Sequence, residues 1–161
     1  MKPWVKAGVV GGILQVIFTL PIMLFYFLPL GVGSLLAVCV CSFFFLLYPV
    51  PGILALHWTP SPRNTSQGAT VGALAGLLAT GIDSIATLLL VLATSLLGLN
   101  ERYIEQIMPN AMDVIRQQGM EFWFSAGGML LQTAISLIFH IITGVILSIL
   151  GGVIYVAIKK E

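Results

Sequence analysis

Charge is what this sequence has least of. Only 8% of its 161 residues are Asp, Glu, Lys or Arg, against about a quarter in an ordinary soluble domain. Hydrophobic residues make up 58%, and the mean hydropathy is +1.06. A soluble fold is excluded on that count, and a formal net charge of +1 supplies no basic surface on which nucleic acid could be held. Cysteine is nearly lacking too. Cys39 and Cys41 stand two apart in an apolar run, so on a helix they point about 200° away from each other and form neither a disulfide nor a CxxC redox pair. There is no nucleophile elbow, no phosphate-binding glycine loop and no HExxH helix. No second His, Cys or carboxylate lies at ligand spacing from His57 or His140. These absences argue against an enzyme and leave no metal or cofactor to expect.

What the chain has is apolar length. Between Lys6 and Arg63 there is no charged residue for about 56 positions, which at roughly 20 residues per crossing holds two helices. Leu28-Pro29-Leu30-Gly31 divides them, since Pro interrupts a helix and Gly favours a turn. The first span is then 4–28 and the second 31–57, with Pro49 and Pro51 expected to kink or end the second early and leave Ile53 to Trp58 at the membrane surface. A third span covers 69–99, interrupted by Asp83, and a fourth covers 122–158 with no charge. Lys2 and Lys6 ahead of an apolar run resemble a signal peptide, but no small-residue cleavage site follows, and the run reads as a retained span. The expected architecture is an all-α integral membrane protein, one domain over 1–161 with four transmembrane helices in a bundle.

Lys2, Lys6, Arg63, Lys159 and Lys160 fall on one side of four crossings; Arg102 and Arg116 lie among acidic residues on the other. The basic side is the cytoplasm, so the chain is expected in the cell membrane with both termini cytoplasmic. Trp4, Tyr48, Trp58, Phe122, Trp123 and Tyr155 sit near span ends, where aromatic side chains favour the water boundary. The loop from Thr59 to Gln67 reads as a polar connector with His57 solvated beside it. The extracytoplasmic segment from Asn100 to Met120 repeats Ile104, Ile107, Met108, Ala111, Met112 and Ile115 at helical spacing, and Asn110 with Asp113 resembles a capping box. A short amphipathic helix over 111–118, stopped by Gly119, is expected between spans three and four.

Small residues recur every fourth position. The third span carries Gly68, Gly72, Gly76, Thr80 and Ser84; the fourth carries Gly128, Gln132, Ser136, His140, Gly144, Ser148 and Gly152; Gly8 and Gly12 give the first a shorter version. Such a stripe lets backbones approach closely, which is how helices associate where lipid removes the hydrophobic drive. Spans three and four are therefore expected to pack as a tight antiparallel pair.

Packing alone does not require a polar centre, yet Asp83, His140 and Gln15 lie near the middle of the third, fourth and first spans. A carboxyl group in a bilayer costs several kcal/mol unless it faces protein or water and has a partner. Asp83 and His140 are expected to pair at the midplane, with Gln15, Gln132, Ser84 and Ser136 as further members of the cluster. The pair reads first as a clasp between helices, and second as part of a proton or ion pathway. One His among Ser and Gly at packing spacing reads as a hydrogen-bond partner rather than a haem or pigment ligand.

The opening Lys2-Pro-Trp-Val-Lys-Ala-Gly-Val-Val-Gly-Gly12, the glycine-rich third span and the closing Gly151-Gly-Val-Ile-Tyr-Val-Ala-Ile-Lys-Lys-Glu161 resemble a group of small four-span bacterial membrane proteins. The resemblance implies the fold and carries no activity. The functional expectation is a non-enzymatic accessory, assembly or interaction subunit, whose partners are the lipid bilayer and another membrane protein or a second copy. The alternative is a small oligomeric channel or transporter using Asp83 and His140 for protons or cations.

Overall fold

The computed structural model describes residues 1–20, 45–60, 64–99, 113, 115, 117–119 and 121–159. All of the regular structure among them is helical. In chain order the helices are α1 (Pro3–Thr19), α2 (Val50–His57), α3 (Thr65–Leu96), α4 (Glu121–Phe124) and α5 (Ala126–Ile158). The divide at Pro29 to Gly31, both cysteines, Arg63, Arg102, Arg116, Lys160 and most of the polar segment 100–120 lie outside the described residues.

Local chemistry explains the helix ends. Pro3 opens α1, where a missing N–H costs nothing. The Asn64 side chain accepts from the Gln67 N–H at 2.7 Å and caps α3, so this helix starts four residues before the expected 69. Its far end is closed by Gly98 at φ 63°, the left-handed conformation favoured after a helix. Of the helix expected over 111–118, Asp113, Ile115 and Gln117 are helical, Gln118 is in a turn and Gly119 stands at φ 66°; positions 111, 112, 114 and 116 lie outside the described residues.

Two of the segments read as spans are interrupted. At Pro49 and Pro51 the second breaks, the kink expected there: residues 45–47 are helical, Tyr48 and Pro49 form a turn, and helix resumes as α2. Proline fits there because it occupies the first turn of the new helix, where its nitrogen has no hydrogen bond to lose. Within Ile53 to Trp58, Ala55 and Leu56 are fully buried against the other helices, while Ile53 and His57 are exposed. The fourth span is interrupted at Ser125, whose hydroxyl donates to the Phe122 carbonyl at 2.6 Å and accepts from the Gly128 N–H at 3.3 Å.

The helices alternate in direction. Along α3 and α5, Gly68 faces Gly152, Gly72 faces Ser148 and Thr80 faces Gly144, an antiparallel pair. Gly8 meets Leu78 and Ala75, and Gly12 meets Ile82 and Ala79, so α1 runs parallel to α3. Pro51 covers Gly11 and Gly52 lies on Ser148, which places α2 antiparallel to α1 beside α5. Ala7, Ala55 and Ala75 form a small apolar core ringed by Trp4, Leu54, Trp58 and Val71.

The radial distribution is the reverse of a water-soluble protein. The largest fully buried side chains are Leu56, Gln15, Thr80, Asp83, Pro51 and Ser148, whereas Ile85, Leu89, Phe139, Ile142, Ile146 and Ile154 are each more than half exposed. Helices α3 and α5 are long and apolar enough to cross a membrane, and only 33% and 28% of their most apolar windows are buried. A core helix of a soluble protein would be covered by its neighbours; these present their Leu and Ile to the surroundings.

Candidate functional site

The middle of the bundle is crossed by one line of polar side chains, supplied by α1, the turn ahead of α2, α3 and α5. Asp83 is fully buried. Its Oδ1 accepts from the Thr19 hydroxyl at 2.7 Å, and its Oδ2 lies 2.9 Å from Nε2 of His140. On the other side of the ring, Nδ1 of His140 lies 2.7 Å from the Tyr48 hydroxyl, with the two rings edge to face at 5.3 Å. The order across the bundle is Thr19, Asp83, His140, Tyr48.

Both ring nitrogens of His140 are engaged: with the ring proton on Nε2, Nδ1 accepts from the Tyr48 O–H, and with a proton on Nδ1 that nitrogen donates to the Tyr48 oxygen. The 2.9 Å approach of Nε2 to Oδ2 falls short of an in-line N–H···O hydrogen bond, and neither atom has another hydrogen-bond partner. The short separation makes it a close electrostatic contact whose strength depends on ring orientation. The Thr19 hydroxyl also reaches the Gln15 carbonyl at 3.1 Å. With one proton to give, it serves the nearer carboxylate, where a charge-assisted bond is stronger.

Local geometry delivers each residue. Thr19 is the last residue of α1, one turn beyond Gln15. Asp83 follows Gly76 and Thr80 along the buried face of α3. His140 lies one turn before Gly144, where a β-carbon would strike the methyl of Thr80, so the missing side chain brings α5 close enough for the ring to reach Asp83. Tyr48 stands in the turn before Pro49, 6% exposed and against Gly144. The proline turn thus brings Tyr48 to the level of His140, midway along α5, rather than to the end of a helix.

The remaining expected members divide. Gln15 is 1% exposed and Ser84 is 7% exposed, and the Gln15 amide and Ser84 hydroxyl have no hydrogen-bond partner. Gln132 and Ser136 are not brought to the pair. Both are exposed, and Gln132 Nε2 donates to the Trp123 carbonyl at 3.2 Å. Gly128 likewise packs on its own chain, under Phe122 and Trp123, rather than on the third span. The break at Ser125 explains both, because it folds α4 back over the first turn of α5. The close stripe on α5 thus runs from His140 to Gly152, where the Ser148 hydroxyl donates to the Gly72 carbonyl at 2.8 Å.

A second group gathers at the end that carries both termini. Lys6 Nζ lies 4.4 Å from the centre of the Trp58 ring, His57 Nδ1 is 3.1 Å from the Tyr155 hydroxyl, and Lys159 Nζ sits 5.6 Å from the centre of the Tyr155 ring. Cations over aromatic faces at a helix-bundle end suit a membrane–water boundary. Here His57 is the last residue of α2 and not a loop residue.

No three His, Cys, Asp or Glu side chains converge on a point among the described residues. Thr19 and Tyr48 are the members that sequence reasoning missed. In comparison with known proteins, no family model matches the chain, and neither a curated protein nor a solved structure shows significant similarity to it.

Proposed function

We propose that the chain is a four-crossing protein of the cell membrane with cytoplasmic termini, and that it serves as a non-enzymatic accessory or assembly subunit bound to another membrane protein or to a second copy. Lipid is the solvent that suits a surface of Leu, Ile and Phe around an interior of Gly, Ala, Thr and Ser. The alternating helix directions suit four crossings, and the cations Lys6 and Lys159 at one end suit a cytoplasmic face.

The observation that carries the interaction role is the exposure of Gln132 and Ser136 on α5, between Leu131, Ile135, Ile138 and Phe139, which are also exposed. A polar side chain facing hydrocarbon is costly, and a neighbouring protein helix offers the hydrogen-bond partner that lipid cannot. The test is purification in mild detergent with Ser136→Cys in a background of Cys39→Ser and Cys41→Ser, followed by oxidative crosslinking and mass spectrometry of whatever co-purifies. A stoichiometric partner or a crosslinked dimer is expected. A monomer that neither crosslinks nor retains a partner would overturn the reading.

A small channel or transporter for protons or cations is the second reading, favoured by the buried line Thr19, Asp83, His140, Tyr48. In proteoliposomes Asp83→Asn would abolish flux while leaving the fold intact. A clasp would tolerate the change, because Asn still hydrogen-bonds.

A further inference from the structure

The lysines at the end of the bundle that carries both termini have aromatic rings beside them and no carboxylate. Lys6 Nζ lies 4.4 Å from the centre of the Trp58 ring and Lys159 Nζ 5.6 Å from that of Tyr155. Both lysines are exposed, as is Lys2. Among the described residues the one close approach of an acid to a base is that of Asp83 to His140, in mid-bundle. Of the six acidic residues in the sequence only Glu161 is near any of these lysines along the chain, and Lys160 precedes it. A ring face neutralises no charge, and an ammonium carries three N–H donors. Each lysine therefore keeps its full positive charge, with donors directed away from the ring.

The contacts join into one row. Trp58 directly follows His57 at the end of α2, and His57 Nδ1 is 3.1 Å from the Tyr155 hydroxyl, so the row runs from α1 past the end of α2 to the last turn of α5. Apolar side chains continue from it toward the middle of the bundle. Ile53, one turn before His57, is exposed, and Ile146, Leu150 and Ile154 follow one another at four-residue steps along an exposed face of α5. A cationic rim above exposed aliphatic side chains matches a molecule that is anionic at one end and hydrocarbon at the other. An acidic peptide would meet the charge and leave the aliphatic face uncovered.

We infer that this end of the bundle is a binding surface for anionic phospholipid, with headgroup phosphates held by Lys6 and Lys159 and acyl chains along the aliphatic side chains beneath. The inference rests on the membrane-crossing reading above and is independent of whether the chain is an accessory subunit or a transporter. Trp58 and Tyr155 hold the two ammonium groups at the rim, where a phosphate meets them.

The test is electron spin resonance of the full chain in phosphatidylcholine vesicles that contain a trace of spin-labelled phosphatidylglycerol or spin-labelled phosphatidylcholine. Lipid slowed at the protein surface is expected for both labels, with phosphatidylglycerol associating about fivefold more strongly at low salt. The preference should shrink in about 1 M NaCl, where the screening length falls to about 3 Å. Lys6→Gln combined with Lys159→Gln should bring the ratio close to one, while Lys6→Arg combined with Lys159→Arg, which keeps both charges, should retain it. Unfolding midpoints in neutral detergent check that both variants keep the native fold. Equal association of the two lipids with the native chain would overturn the proposal and leave these lysines to an acidic protein segment; an undiminished preference in the glutamine variant would overturn it as well. If neither label shows slowed lipid, the membrane-crossing reading itself fails and the proposal falls with it.

Discussion

Toward the end of the bundle that carries Lys6 and Lys159, helices meet because side chains are missing; at the level of Asp83 they meet because side chains reach across. In the first region Gly68 lies against Gly152, Gly72 against the Ser148 backbone and Gly52 against the same residue from the other side, so the contact surface is main chain. In the second, four side chains from four segments form one line, and the helices need not touch along it. Backbone contact is dense and cannot relax, whereas a line of polar side chains can exchange partners. The two regions should therefore fail differently when they are altered.

The largest effect is expected in the glycine region. A β-carbon on Gly52 would run into the Ser148 carbonyl, which is backbone and has no rotamer to change. Overpacking typically costs about 1–3 kcal/mol and more when nothing can move. Gly52→Val should accordingly yield no monodisperse protein in size-exclusion chromatography. If this variant purifies with a native unfolding midpoint, the close approach of α2 to α5 is wrong.

Changes in the polar line should be graded by what they leave behind. His140→Ala removes the neighbour of a buried carboxylate and the hydrogen-bond partner of the Tyr48 hydroxyl together, and loss of one partner of a buried pair costs roughly 3–5 kcal/mol. Asp83→Asn keeps a hydrogen-bonding group of the same shape and should cost on the order of 1 kcal/mol. Tyr48→Phe removes one hydroxyl and should fall near the same value. Unfolding midpoints of the three variants order them: His140→Ala well below native, the other two close to it. Equal losses would mean that Asp83 and His140 do not act as a pair.

How much of this was legible in the sequence differs between the two regions for a physical reason. A glycine stripe is a local pattern, and Gly68, Gly72, Gly76, Gly144 and Gly152 were readable because their spacing alone implies one helix face. Asp83 and His140 stood out because charge and imidazole are rare in an apolar chain. Thr19 carried no such signal, as a hydroxyl can satisfy itself on the preceding turn, which Thr80, Thr59 and Thr133 all do. Tyr48 was misplaced because proline in a span reads as its end, while here Pro49 and Pro51 begin a new helix and move the ring inward. Gln132 and Ser136 share the four-residue spacing of His140, but the fold-back at Ser125 ends the buried stripe below them, and that break depends on one hydroxyl meeting one carbonyl.

The smallest effect separates glycines that serve packing from one that does not. Gly72 and Gly81 are both in α3, yet a β-carbon on Gly72 would come within 2.8 Å of the Ser148 carbonyl, while one on Gly81 meets nothing within 4 Å. In a helix interior, Ala is preferred over Gly by roughly 0.8–1.0 kcal/mol when no neighbour objects. Gly81→Ala should then be neutral or slightly stabilising, whereas Gly72→Ala should lose about 1–3 kcal/mol by overpacking and also disturb the bond from the Ser148 hydroxyl to the Gly72 carbonyl. The two unfolding midpoints move in opposite directions if close backbone contact holds α3 to α5. Should both move down together, glycine is needed along α3 for its flexibility, and the glycine region would be one of bending rather than of contact.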